Sequence, residues 1–135
     1  MLAAAAPAEF EVREGSGVRL GRDRVLQPDV MVALAGALTA DMRDAPSSAV
    51  RAVVKVMSSS SVTHDRVTKP TLYAEAGIPT YIRIEPSGPR APVVYIYRLA
   101  GKAYREHATA HAGQRLELDE PFPVSFDPAE LTAPK

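Results

Sequence analysis

The sequence predicts one α+β domain (α/β in the broad sense) built on a mixed central sheet. Three observations point there. The chain has 135 residues, an ordinary length for one domain. Twelve prolines and eight glycines cut it into short pieces, and short pieces favour strands over long helices. One helix-like stretch falls between two strongly apolar strands, the order of a crossover unit and not of a plain sandwich. No linker or repeat divides the chain, so residues 1–135 read as a single domain with its core at about 9–131.

The elements follow in order. "EFEVREGSGVRL", residues 9–20, reads as two short strands around a Gly-Ser-Gly turn, a hairpin. "PDVMVAL", residues 28–34, opens a strand at Pro28 and Asp29 and continues through Val30, Met31, Val32, Ala33 and Leu34. "TADMRDAPSS", residues 39–48, reads as a polar loop. "AVRAVVKVMS", residues 49–58, is a strand apolar on both faces except for Arg51 and Lys55. Such strands lie in the middle of a sheet that is covered on both sides.

"SSSSVTHDRVTKPTLYAEAG", residues 58–77, reads as a cap followed by a helix. Ser61 or Thr63 suits the cap, Asp65 suits the positive helix end, and Gly77 supplies the stop. Pro70 removes a backbone hydrogen bond and should bend this helix. Asp65, Lys69, Tyr73 and Ala76 share one helical face. "IPTYIRIE", residues 78–85, is the next strand. "APVVYIYRLA", residues 91–100, alternates Val93, Tyr95 and Tyr97 with Val94, Ile96 and Arg98. Residues 101–126 continue as turn, strand, turn and short strand, and "DPAEL", residues 127–131, forms a helical turn.

Composition narrows the function classes. Formal net charge is zero, so no global basic field marks a nucleic-acid binder, although a local basic groove remains open. There is no cysteine, which excludes disulfides and thiolate-held zinc or iron–sulfur centres. No apolar run approaches the roughly 18–20 residues of a membrane span. "MLAAAAPAEF" lacks the basic start and longer core of a signal peptide, and a cytoplasmic location is expected.

The stretch "PDVMVAL", the strand running into Ser58, and "DRVTKPTLYAEAGIPTYIRIE", residues 65–85, together resemble the Uma-two family of restriction endonucleases. The resemblance runs from about Glu9 to Leu131, and its most specific part is the segment from Asp65 to Tyr81. It implies membership of the PD-(D/E)xK nuclease superfamily, with a restriction-endonuclease-like mixed sheet flanked by helices. It also implies a further N-terminal helical region that this sequence starts beyond. The implied activity is DNA cleavage with magnesium or manganese, and homodimers are frequent among such proteins. The Asp after Pro, here Asp29, is the implied metal ligand. A Lys on the crossover helix, here Lys69, completes the site, and Asp65 matches another frequent position.

One position departs from the pattern. Where the resemblance implies a second metal-binding acid, "VVKVMSS" carries Lys55. Pro is replaced by Ser59, and a common Tyr-Trp pair becomes Tyr81-Ile82. A divalent cation prefers hard oxygen ligands, typically one or two carboxylates with waters and phosphate. An ammonium at Lys55 would compete with that cation for one place, because like charges repel strongly in a poorly solvated site. Lysine is seldom buried without a partner, and Asp29 on the neighbouring strand is the natural one. Lys55 is therefore expected to pair with Asp29 and stand in for the metal's charge. Activity would then be impaired or absent, leaving a nucleic-acid-binding or dimerisation module as the alternative.

Plainer readings accompany each residue. Asp29 also suits a strand start, and Lys69 a surface pair with Asp65 at the (i, i+4) spacing. Lys55 reads first as a structural ion pair, next as a head that snorkels outward, and last as a catalytic base. Ser58 to Ser61 suits a loop and cap as well as a phosphate cradle, and His64 lies near the helix start. "HATAH" places His107 and His111 on strand and turn, without the Glu of a zinc-protease motif, so they read as surface histidines. A groove of Arg51, Lys55, Arg66 and Lys69 would favour DNA, and the strand "VVYIYRL" would serve as a paired edge in a dimer.

Overall fold

The strand that is apolar on both faces takes the middle of the sheet. In the computed structural model, which describes residues 6–20, 24–37, 44–57 and 69–132, β1 is Phe10–Glu14, β2 Gly17–Leu20, β3 Arg24–Leu26, β4 Val30–Leu34, β5 Asp44–Pro46 and β6 Val50–Val56. Helix α1 (Lys69–Glu75) follows, then β7 Thr80–Glu85, β8 Val93–Ala100, β9 Ala103–His111, β10 Leu116–Leu118 and β11 Val124–Phe126. A six-stranded sheet runs β1-β4-β6-β7-β8-β9. Only β6 and β7 are parallel in it, and α1 is their crossover. The mixed α+β class predicted from the sequence is the observed one, consistent with a restriction-endonuclease-like fold.

The faces of β6 are set by a bulge. Val32 pairs with Ala52 and Ala33 with Val50, so Arg51 is the extra residue between them. The bulge puts Val50 and Val53 into one buried cluster with Met31, Tyr73, Ile78 and Tyr81, on the side of α1. Val54 joins the opposite cluster with Ile82, Val94 and Ile96. That opposite face is closed by the β10–β11 hairpin, through Leu116, Leu118 and Phe126, and by Leu131 of a final 3-10 turn. Among the described residues, the cover comprises one α-helix and two small sheets.

Three local expectations are corrected. The strands of "EFEVREGSGVRL" exist but do not pair with each other. β1 pairs with β4, while β2 joins β3 and β5 in a separate three-stranded sheet. This arrangement buries Val18 and Ala45 against the α1-side cluster, which a hairpin would not achieve. It also brings the β2 backbone close enough to β5 that a Cβ at Gly17 would collide with the Asp44 carboxylate and Val25. The stretch 39–48 is not wholly a loop, since Asp44–Pro46 is β5. The tyrosine-bearing strand β8 is no edge, because β7 and β9 pair on either side of it.

Helix α1 buries Tyr73 and Ala74. Pro70 is the second residue of the helix as described, and the bend expected at it turns on residues 58–68, which lie outside the described residues. Gly77 stops it with φ +86°, and Gly77 N–H and Ile78 N–H return to the carbonyls of Ala74 and Tyr73. The segment 58–68, with Ser58, Ser59, Ser61, Thr63, His64, Asp65 and Arg66, lies outside the described residues. Among the described residues, no helix is long and apolar enough to cross a membrane.

Arg98 of β8 ties down the covering hairpin. Its Nη2 donates to Asp119 Oδ1 at 2.5 Å, and Nη1 lies 3.8 Å from Glu120. That hydrogen bond holds the Asp119 carboxyl below the usual carboxylate range. A lowered folded-state pKa stabilises above the unfolded value and is lost as pH falls. Asp119→Asn should therefore lower the melting temperature at pH 7, and the gap to the unmodified chain should close below about pH 4. In the core, Met31→Ala should cost about 2–5 kcal/mol in urea unfolding. Val25→Ala, at a side chain 44% exposed, should stay within about 0.5 kcal/mol.

Candidate functional site

The site is built where β6 ends and the chain crosses to β7. Asp29 precedes β4, and its N–H donates to Val54 O at 3.0 Å, which fixes it beside the C-terminal end of β6. Its carboxylate then accepts from the backbone: Val56 N–H donates to Asp29 Oδ2 at 2.6 Å. The Lys55 ammonium lies 3.7 Å from the same oxygen. The expected Asp29–Lys55 pair is present. The backbone bond is the directional contact, while Lys55, beyond hydrogen-bond distance, contributes charge. The lysine side chain is 18% exposed and Asp29 42%, so the pair sits at the sheet surface with its cation turned inward.

Lys55 follows Val53 by two residues and so shares its face, the face of α1. In parallel register Lys55 stands beside Arg83, and Arg83 stands opposite Tyr95. Two cations side by side repel. Each is balanced separately. Arg83 Nε lies 3.2 Å from Glu85 Oε2, and both side chains are largely buried. The guanidinium also lies over the rings of Tyr95, at 4.3 Å, and Tyr97, at 5.6 Å. Asp29, Lys55, Arg83 and Glu85 thus form a row of two anions and two cations across three strands.

Sequence reasoning missed the Arg83–Glu85–Tyr95 half of this row. The signal was available in "TYIRIE", where Tyr81, Arg83 and Glu85 alternate with Ile82 and Ile84. What was lacking was the parallel register that sets Arg83 beside Lys55.

Lys69 opens α1 at the same end of the sheet, four residues before buried Tyr73 and on its helical face. The Asp29 carboxylate, however, meets Lys55 and Val56 and not Lys69. Arg51 is not part of a groove with Lys55. It sits near the other end of β6, roughly 13 Å away by strand rise, and donates to Ser48 O at 3.1 Å. Arg66 lies outside the described residues. His107, exposed, is the extra residue of a β9 bulge between Glu106 and Ala108, which pair with Tyr97 and Ile96. His111 is partly buried, with Nδ1 2.8 Å from Ala112 O.

An open groove of about 620 Å³ runs past Asp29, lined by Glu14, Gly15, Gln27, Pro28, Val30 and Val56. Two carboxylates, Asp29 and Glu14, line it, a number that a magnesium ion takes together with waters. The Asp29 oxygen nearest Lys55 already serves a backbone N–H and an ammonium. Among the described residues, no group of three or more His, Cys, Asp or Glu side chains converges.

Against known proteins, the profile of the Uma2 family, described as a putative restriction endonuclease, matches residues 2–133. The chain belongs to the Uma2 family. A search of curated proteins finds no match. Uma2 membership makes nuclease the activity class that the family suggests, and DNA the substrate class. The Asp29–Lys55 pair is thus a feature of a Uma2 chain whose sheet is intact.

A double-mutant cycle checks the pairing. Asp29→Ala should cost about 1–2 kcal/mol, since Val56 N–H loses its acceptor and Lys55 its counter-ion. Adding Lys55→Met should return part of that loss in urea unfolding, giving a coupling of at least about 0.5 kcal/mol.

Proposed function

We propose that this Uma2 chain is a DNA-binding protein of the PD-(D/E)xK nuclease type whose metal-dependent cleavage is impaired. In this reading the Lys55 ammonium takes the position of the cation's charge. The observation that carries it is the Lys55–Asp29 contact at 3.7 Å, at the strand position where the resemblance implies a second acid. A phosphodiester hydrolase needs an activated water and a counter-charge for the developing phosphate negative charge. Lys55 supplies a fixed positive charge beside Asp29, but it offers no acceptor to orient a water. The remaining capacity is electrostatic: holding a phosphate near the end of β6 without cutting it. A cytoplasmic setting and a homodimer remain part of this proposal through the family alone.

The deciding test is plasmid cleavage by the unmodified chain and by Lys55→Glu, each with magnesium and with manganese. The unmodified chain should stay at background, while Lys55→Glu should cut at least tenfold faster. Equal cleavage by both would overturn the charge-replacement reading. Cleavage by neither would leave DNA binding as the function, read by its steep loss with salt.

A further inference from the structure

All five tyrosines of the chain gather on the α1 face of the sheet. Tyr81 is central: its ring lies 6.0 Å from Tyr73, 6.0 Å from Tyr97 and 5.5 Å from Tyr104, the last nearly parallel. Tyr104 anchors this group, donating its hydroxyl to Ile78 O at 2.8 Å. Beside the cluster is a cavity of about 310 Å³. Its described walls include Thr71 of α1, Tyr81 and Arg83 of β7, Tyr97 of β8, and Lys102 and Tyr104 at the β8–β9 turn and in β9.

Three features of this cavity select a ligand. Its floor is aromatic, with Tyr97 and Tyr104 only partly buried and so offering ring surface. Its described charges are both positive, Arg83 and Lys102, and no carboxylate is among the described lining residues. Arg83 is neutralised from outside by Glu85, whereas Lys102 is exposed on a turn and makes no ion pair with a described residue. The volume is at the low end of small-ligand pockets, which span roughly 300–1,000 Å³. It admits a single nucleotide and no duplex.

We propose that this cavity binds one nucleotide, with its base against Tyr97 and Tyr104 and its phosphate at Lys102 and Arg83. Aromatic side chains accept any base by stacking, and a fixed cation pairs with the phosphate attached to it. The nucleotide has two sources, a free mononucleotide or an unpaired residue of a single DNA strand. The site adjoins the Asp29–Lys55 pair through Arg83 but does not depend on cleavage.

The chain has no tryptophan, so its intrinsic fluorescence reports the tyrosine cluster itself. Tyrosine emission would be titrated with dTMP, and anisotropy of fluorescein-labelled dT12 followed in EDTA at low salt. The unmodified chain, Lys102→Glu, Lys102→Arg, Tyr97→Leu and Arg51→Met would be compared. Expected are saturable binding, a loss of about tenfold or more in Lys102→Glu and in Tyr97→Leu, and retention in Lys102→Arg. Arg51→Met, near the other end of β6, should bind as the unmodified chain does, which separates this site from a general effect of positive charge. Binding of both probes assigns the site to a free nucleotide, and binding of dT12 alone assigns it to a strand. Binding that Lys102→Glu leaves unchanged, or no binding of either probe, overturns the proposal. Lys102 lies on an exposed turn, so its variants keep the test valid should Tyr97→Leu unfold.

Discussion

A charged side chain on a strand covered on both faces must bring its counter-ion with it. β6 is such a strand, and Lys55 is its charge. The partner cannot come from β6 itself, because the neighbours of Lys55 on the same face are Val53 and the strand end. It comes from the residue before β4, held there by a backbone bond from Asp29 to Val54 and another from Val56 to Asp29. The carboxylate is therefore placed by the sheet ladder and not by the lysine. That ordering matters energetically. A directional bond of 2.6 Å fixes the anion, and the looser ionic contact at 3.7 Å follows from it.

The same constraint spreads sideways. Parallel pairing puts Arg83 next to Lys55, so the second cation needs its own compensation. Glu85 and the π faces of Tyr95 and Tyr97 provide it. The result is a charge-neutral row at the C-terminal end of a parallel strand pair, a place where α/β proteins commonly put their chemistry. Membership of the Uma2 family rests on nearly the whole chain, while the chemistry rests on a handful of side chains. Fold and site chemistry are separable, so family membership does not by itself fix the chemistry. The tyrosine cluster uses the same face differently, with aromatic area in place of carboxylates.

Much of this was legible in the residues. The double-sided apolar run of β6, the alternation of β8, the Gly77 stop and the crossover order each follow from local chemistry. The expectation that Lys55 would seek Asp29 also followed, since burial of an ammonium demands an anion and the neighbouring strand offered one. The failures were failures of pairing. Two short strands joined by Gly-Ser-Gly look like a hairpin until Val18 finds a better burial elsewhere. A tyrosine-rich strand looks like an edge until β9 pairs beside it. Strand propensity is local, but the choice of neighbour compares burial across the whole chain.

The sequence by itself determined most of the strands, the mixed α+β class and the central place of β6, because each depends on spacing along a single segment. Only the tertiary structure decided that Asp29 is held by Val56 N–H, that Arg83 stands beside Lys55, and that Tyr81, Tyr97 and Tyr104 line one cavity. Those facts depend on register between strands far apart in the chain. Register is set by the Arg51 bulge and by which residues compete for the same buried space.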